Sequence, residues 1–244
     1  MDFPDSPAPQ PKLDPPTARL YAIIEIVLCS GVPSQFALTY LIALAGFSPF
    51  QGGRLSFGYV TSLLLLDATL MIAMIFWFLH RHGEKPRDVF LGNRPIGDEV
   101  RLGIPMTGVV FVLAMVVLTT AQKILPSLHN VPENPLQQLI ATRTQAFIFT
   151  IVATIAGGLR EEIQRGFIIH RFDQHLGGAA FGVAAYSVAF GLGHVEQGWD
   201  AALATGMLGA IWGCLYMARR SIVAPMVSHA GFNLLQLIKF VSLR

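Results

Sequence analysis

Residues 150–169 read TIVATIAGGLREEIQRGFII, an apolar run interrupted at its centre by Arg160, Glu161, Glu162 and Arg165. It lies in a stretch, about 145–172, greasy enough to cross a bilayer. An ionisable side chain there costs about 2.5 to 3.5 kcal/mol on insertion scales, so its presence points first to function. Two more polar motifs lie within or against apolar stretches further on. They are Phe190-Gly191-Leu192-Gly193-His194 and His229-Ala230-Gly231-Phe232-Asn233.

The composition agrees with a membrane protein. Of 244 residues, 53% are hydrophobic and 13% charged, where a soluble domain carries roughly 25% charged residues. The mean hydropathy is +0.54. The expected fold is all-α, a polytopic transmembrane helical bundle. Apolar stretches at about 18–46, 57–79, 103–125, 145–172, 176–194, 200–218 and 221–242 each reach the roughly 20 residues a spanning helix needs. The first contains Gly31-Val32-Pro33, so it is kinked or divided, which gives seven or eight helices. Residues 1–17, rich in proline and aspartate, are expected to be a disordered tail. Residues 18–125 form N-terminal transmembrane helices, and 145–242 the core that carries the motifs.

Net charge is only +2, and no basic run or stacking-aromatic pattern supports a nucleic-acid partner. The two cysteines, Cys29 and Cys214, read as buried small hydrophobes. The linker 80–102 holds Arg81, Lys85, Arg87, Arg94 and Arg101, the densest basic loop, and should be cytoplasmic. Counting outward places the N-terminus on the same side. The proline-bearing segment 126–144 reads as an extracytoplasmic loop. Gly206, Gly209 and Gly213 form a small-residue face suited to close helix packing.

Residues three and four apart share a helix face. Glu161, Glu162 and Arg165 therefore occupy one arc, and Arg165 can pair with either acid. The acid left free in a low-dielectric pocket would suit a general base. Glu161 precedes Arg165 by four, the more favourable order for a pair, which leaves Glu162 as the expected base. A surface cluster in which Arg160, Arg165 and Arg171 reach for headgroups is the plainer alternative. His194 could also be an interfacial residue, with Glu196 beside it in a polar run. His229 and Asn233, four apart, point the same way and can donate to a developing oxyanion or hold water or a metal.

Together these motifs resemble the CAAX-protease and bacteriocin-processing family of intramembrane proteases, which includes the type II CAAX prenyl endopeptidases. That family is marked by a double-glutamate helix followed by arginine, a Phe-x-x-x-His helix and a His-x-x-x-Asn helix. Phe190/His194 and His229/Asn233 match the last two. The first departs: two residues, rather than the usual three, separate Glu162 from Arg165. The resemblance, over about 145–240, implies an intramembrane endopeptidase acting on a peptide or protein in or at the bilayer. Glu161 or Glu162, with His194, would activate water, while His229 and Asn233 would stabilise the oxyanion. Arg165 would orient the acids, and Phe190 would support the site. The family is described both as metalloprotease and as glutamate protease, and Glu162, His194 and His229 are the set that could hold zinc. Two rivals are a non-catalytic scaffold or immunity-type protein, and a carrier using Glu25 and Asp67. A substrate would enter from the membrane side or through a cytoplasmic mouth.

Overall fold

The computed structural model describes residues 15–132 and 135–242. Residues 1–14 of the expected tail lie outside that range, and the first helix, α1 (Pro15–Leu28), already includes 15–17. At Gly31 the backbone turns left-handed, with φ 90°, a conformation glycine adopts without steric cost. The chain re-enters α2 (Val32–Leu44) with Pro33 in the first turn, so α1 and α2 meet at a 44° bend. The expected kink thus divides this segment.

A two-residue hairpin follows, β1 (Phe50–Gln51) against β2 (Arg54–Leu55), turned by Gly52 and Gly53 at positive φ. Ser56 caps α3 (Phe57–Arg81) by accepting from the Tyr59 amide. Short α4 (Pro86–Phe90) leads to α5 (Ile96–Ile124). The segment 126–144 holds a 3₁₀ turn at Pro126–Leu128 and α6 (Pro135–Gln138). A capping box between Thr142 and Gln145 starts α7 (Arg143–Ala153). From there one unbroken helix runs through a π segment, Thr154–Glu161, into α8 (Glu162–His175). The last three helices are α9 (Ala179–Leu192), α10 (Trp199–Arg219) and α11 (Val223–Ser242).

This is an all-α integral membrane protein. Among the described residues α3, α5 and α10 are each long and apolar enough to cross a membrane, and α1 with α2 would make a fourth. Length and composition thus identify three or four of the expected seven or eight spans. The π segment divides the α7–α8 helix into α-helical pieces of 11 and 14 residues, and α9 is only 14 residues long, about 21 Å. The outward surface is apolar: Phe36, Leu44, Ile104, Val112, Phe147 and Val188 are all exposed, as lipid contact would allow.

Polar pairs mark the two ends. At one, Arg219 meets Glu99 at 2.6 Å, Arg220 meets Asp173, and Ile222 donates its amide to the Phe90 carbonyl. At the other, Asp200 accepts from Gln122 at 2.9 Å and sits 2.8 Å from His129. Helices α5 and α10 are therefore antiparallel. Close packing of α9 on α10 uses the expected glycine face. A Cβ on Gly209 would stand 3.0 Å from the Phe190 ring, and one on Gly213 equally near Val183.

The N-terminal acids are structural. Glu25 takes Arg171 and His82, each at 2.6 Å. Asp67 takes Arg160 at 2.7 Å and the Ser34 hydroxyl. These buried pairs join α1, α2 and α3 to α8 and the π segment, and they consume the acids that had motivated a carrier. Cys29 is buried as expected, whereas Cys214 is exposed. The main apolar core combines Met71, Ile75 and Leu79 of α3 with Phe167, Ile169, Val183 and Tyr216.

Candidate active site in the α7–α11 core

The π segment places the consecutive glutamates on different sides. A π turn adds a residue to the helical ring and is frequent at functional sites. It contains Gly157 and Gly158, against which α11 packs closely. A Cβ on Gly158 would come within 2.7 Å of Ala230, and one on Gly157 would collide with the Asn233 amide. Where this segment ends, Glu161 faces a cavity, and Glu162 begins α8 facing the interior.

That cavity has a volume of about 250 Å³. Glu161, His194, His229 and Asn233 all line it, together with Phe190, Trp212, Gly157, Thr205, Gln197 and Gln236. Its remaining wall is apolar, including Leu64, Ile140, Phe149, Leu208 and Phe232. Lining by Gln197 and Ile140 puts it toward the Asp200 end of the bundle, away from the basic linker 80–102.

Behind the cavity lies the acid–arginine pair. Arg165 donates to Glu162, three residues before it, and both are fully buried. The expected Glu161–Arg165 pair is not formed. The shortened spacing still keeps an acid–arginine couple, because i,i+3 and i,i+4 positions both meet on a helix. The Arg165 guanidinium carbon lies 4.9 Å from the Phe190 ring centre, 5.2 Å from Tyr186 and 5.4 Å from Trp212. Its Nε and Nη2 have no hydrogen-bond partner, so the ring faces provide the compensation. The family Phe190 thus walls both the cavity and this arginine.

The two histidines are fixed by their Nδ1 atoms. His229 Nδ1 lies 2.7 Å from Glu162 Oε1, and an N–H must donate there because a carboxylate only accepts. Its Nε2 is 3.7 Å from Glu161 Oε2, and its ring stacks on Trp212, with centroids 3.9 Å apart. His194 Nδ1 donates to the Phe190 carbonyl at 2.8 Å. In neutral His194 the lone pair is then on Nε2. Asn233 donates to the Ala153 carbonyl at 3.3 Å, which anchors its amide at the end of α7. Glu196 is exposed and does not line the cavity.

The zinc set does not converge. Glu162 Oε1 is taken by both Arg165 and His229, and the residue is shut out of the cavity. Among the described residues no three His, Cys, Asp or Glu side chains form a metal-holding group. Metal-ligand geometry thus gives no support to a metalloprotease.

Sequence reasoning missed Trp212, Tyr186 and Gly157. The first two look like ordinary aromatic residues of apolar helices; the Gly157-Gly158 pair was the readable signal of a close approach.

Neither a curated protein nor a solved structure matches this chain. Residues 143–235 match the family model described as "Type II CAAX prenyl endopeptidase Rce1-like". The matched region opens at the first residue of α7 and closes two residues after Asn233, so it holds every polar residue of the cavity named above except Gln236. The likeness to the Rce1-like family is confined to residues 143–235 and agrees with the motifs read from the sequence.

Proposed function

We propose that the protein is an intramembrane endopeptidase that hydrolyses a peptide bond of a membrane-associated substrate. The observation that carries this reading is the convergence of Glu161, His194, His229 and Asn233 on one cavity, with Glu162 and Arg165 held behind it. The match of residues 143–235 to a family model of endopeptidases supports it.

In this mechanism Glu161 takes a proton from a cavity water, and the His194 Nε2 lone pair orients that water. A carboxylate and an imidazole acting together supply the general-base step. The water oxygen forms a bond to the scissile carbonyl carbon, and the carbonyl oxygen becomes an oxyanion. Asn233 Nδ2–H and, when its ring is doubly protonated, His229 Nε2–H donate to that oxyanion. Protonated Glu161 then returns the proton to the leaving nitrogen as the C–N bond breaks, giving one carboxylate and one amine end. Glu162 acts through His229 by holding its Nδ1–H. No step uses a metal.

The lysines and arginines of linker 80–102 favour a cytoplasmic position for that end of the bundle. With that orientation the cavity lies toward the opposite face, and substrate enters there or laterally from lipid. A reporter fused after Arg94 measures the orientation. For the reaction itself, purified wild type and Glu161→Gln are compared on apolar peptides by mass spectrometry. Loss of at least about 100-fold in cleavage with a folded variant is expected; equal cleavage by both would remove Glu161 as base.

A further inference from the structure

The carboxylate of Glu161 is aimed by its backbone. His229 Nε2, the imidazole nitrogen beside it, stands 3.7 Å from Oε2, too far for a hydrogen bond. Glu161 is the last residue of the π segment, and π turns, with their i→i+5 bonds, are rare. A return to α register would shift the end of the segment by one residue, about 100° around the axis. That rotation would turn Glu161 away from the cavity. Earlier in the segment, α11 closes on Gly157 and Gly158. At its end, the residue that is held is Arg160.

Arg160 is buried, and its guanidinium is gripped from several helices. Its Nη2 donates to Asp67 Oδ2 of α3 at 2.7 Å, and its Nη1 to Gln164 Oε1 of α8 at 3.0 Å. Each acceptor is itself fixed. Asp67 takes the Ser34 hydroxyl of α2 on its other oxygen. Gln164 accepts from the Tyr186 hydroxyl at 3.2 Å and donates to the Cys29 carbonyl at 2.6 Å. Asp67, Ser34 and Gln164 are all buried. The turn between α1 and α2 leaves room for the guanidinium only because residue 31 is glycine; a Cβ there would stand 2.5 Å from Nη2. Among these bonds the one to Asp67 joins two charges, and charge-assisted bonds are roughly twice as strong as neutral ones.

The peptide unit between Arg160 and Glu161 is planar, so only a few soft dihedrals separate the two side chains. A guanidinium fixed on one side therefore limits the rotation of the carboxylate on the other. We infer that Asp67, held by Ser34, is a positioning residue for hydrolysis: through Arg160 it keeps Glu161 facing the cavity. The inference rests on the peptidase reading above and adds to it a residue that lies outside 143–235. Asp67 touches neither the cavity nor the reacting atoms, and its effect is on turnover rather than on substrate affinity.

The test uses full-length protein in detergent, assayed well below the melting temperature of each variant on a peptide that the wild type cleaves. Asp67→Asn keeps the shape and removes the charge; Ser34→Ala removes only the support behind Asp67. Glu84→Gln, which cuts an ion pair to Arg171 on α8 far from the cavity, is the control for lost stability alone. Asp67→Asn should lower kcat at least about tenfold with KM within about twofold. Ser34→Ala should lower kcat about two- to fivefold, and Glu84→Gln should melt lower with kcat unchanged. A second readout needs no turnover. Glu161→Cys is made with Cys214→Ser, because Cys214 is exposed whereas Cys29 is buried. The introduced thiol should react with a small water-soluble thiol reagent, and adding Asp67→Asn should slow that reaction at least about fivefold as access is lost. Unchanged kcat, or unchanged labelling, in folded Asp67→Asn overturns the inference and leaves the peptidase reading intact. Where Asp67→Asn yields no folded protein, Ser34→Ala decides: kcat and labelling both unchanged overturn the inference. A wild type that cleaves no peptide, with labelling still slowed by Asp67→Asn, overturns the peptidase reading and leaves the placement of residue 161 by Asp67 standing.

Discussion

The Trp212 indole and the His229 imidazole lie face to face, their ring centroids 3.9 Å apart and their planes at 16°. The indole N–H is held by the Ser228 hydroxyl at 3.2 Å, and Glu162 grips the other side of His229. The imidazole is therefore fixed both in plane and in rotation. Aromatic pairs contribute about 0.5 to 1.5 kcal/mol beyond burial. Trp212→Phe should thus keep most of kcat, and Trp212→Leu should lose about two- to tenfold. The pH dependence of kcat should also shift in the Leu variant. A kcat change with an unaltered profile would mean that Trp212 only packs.

The two glutamates should fail in different ways. Helical spacing alone points to Glu162 as the base, whereas the cavity lining and the buried Glu162–Arg165 pair support Glu161 in that role. Removing one member of a fully buried ion pair costs about 3 to 5 kcal/mol. Glu162→Gln should therefore sharply reduce folded protein, and Glu161→Gln should fold normally without cleaving. Size-exclusion profiles and thermal melts in detergent, set beside turnover, separate the outcomes.

Gly157→Ala probes the approach of α11 to the π segment. The new methyl would overlap the Asn233 amide and lie 3.7 Å from His229 Nε2. Alanine gains about 1 kcal/mol in helix propensity, which opposes any loss of stability from the overlap. We expect a near-normal melt with kcat down at least about tenfold. Retained kcat would show that Asn233 can move without consequence.

Acid sensitivity should localise to the linker end. Burial by itself would push the Glu84 carboxyl upward. The His170 hydrogen bond and the Arg171 charge outweigh it and bring its pKa from 4.5 down to about 2. Because the folded value is the lower, the stabilisation is complete above pH 4.5 and is lost as pH falls toward 2. Glu84→Gln should melt lower than wild type at pH 7, and the gap should close on acidification through that window. A gap independent of pH would assign the effect to packing.

The helices and the cavity residues were readable from sequence for separate reasons. Apolar runs interrupted by acids and imidazoles announce a bundle with a polar interior, so α3, α5, α10, Glu161, His194, His229 and Asn233 could all be named. Which acid faces the cavity could not be read, because ideal helical spacing puts Glu161 and Glu162 on one arc. The π segment, which ends at Glu161 and against which α11 packs at Gly157 and Gly158, changes that angle. Likewise Asp67 and Glu25 look like carrier acids in isolation. Their partners, Arg160 and Arg171, stand 93 and 146 residues further along the chain, beyond the reach of local pattern.

Arg160 precedes Glu161 directly, and its guanidinium is moored to Asp67 of α3. The proposed base is thus leashed, through one peptide unit, to a helix outside the Rce1-like region. A compound wedged between α3 and the π segment would tug on Glu161 without entering the cavity, so inhibition of this enzyme need not compete with its substrate.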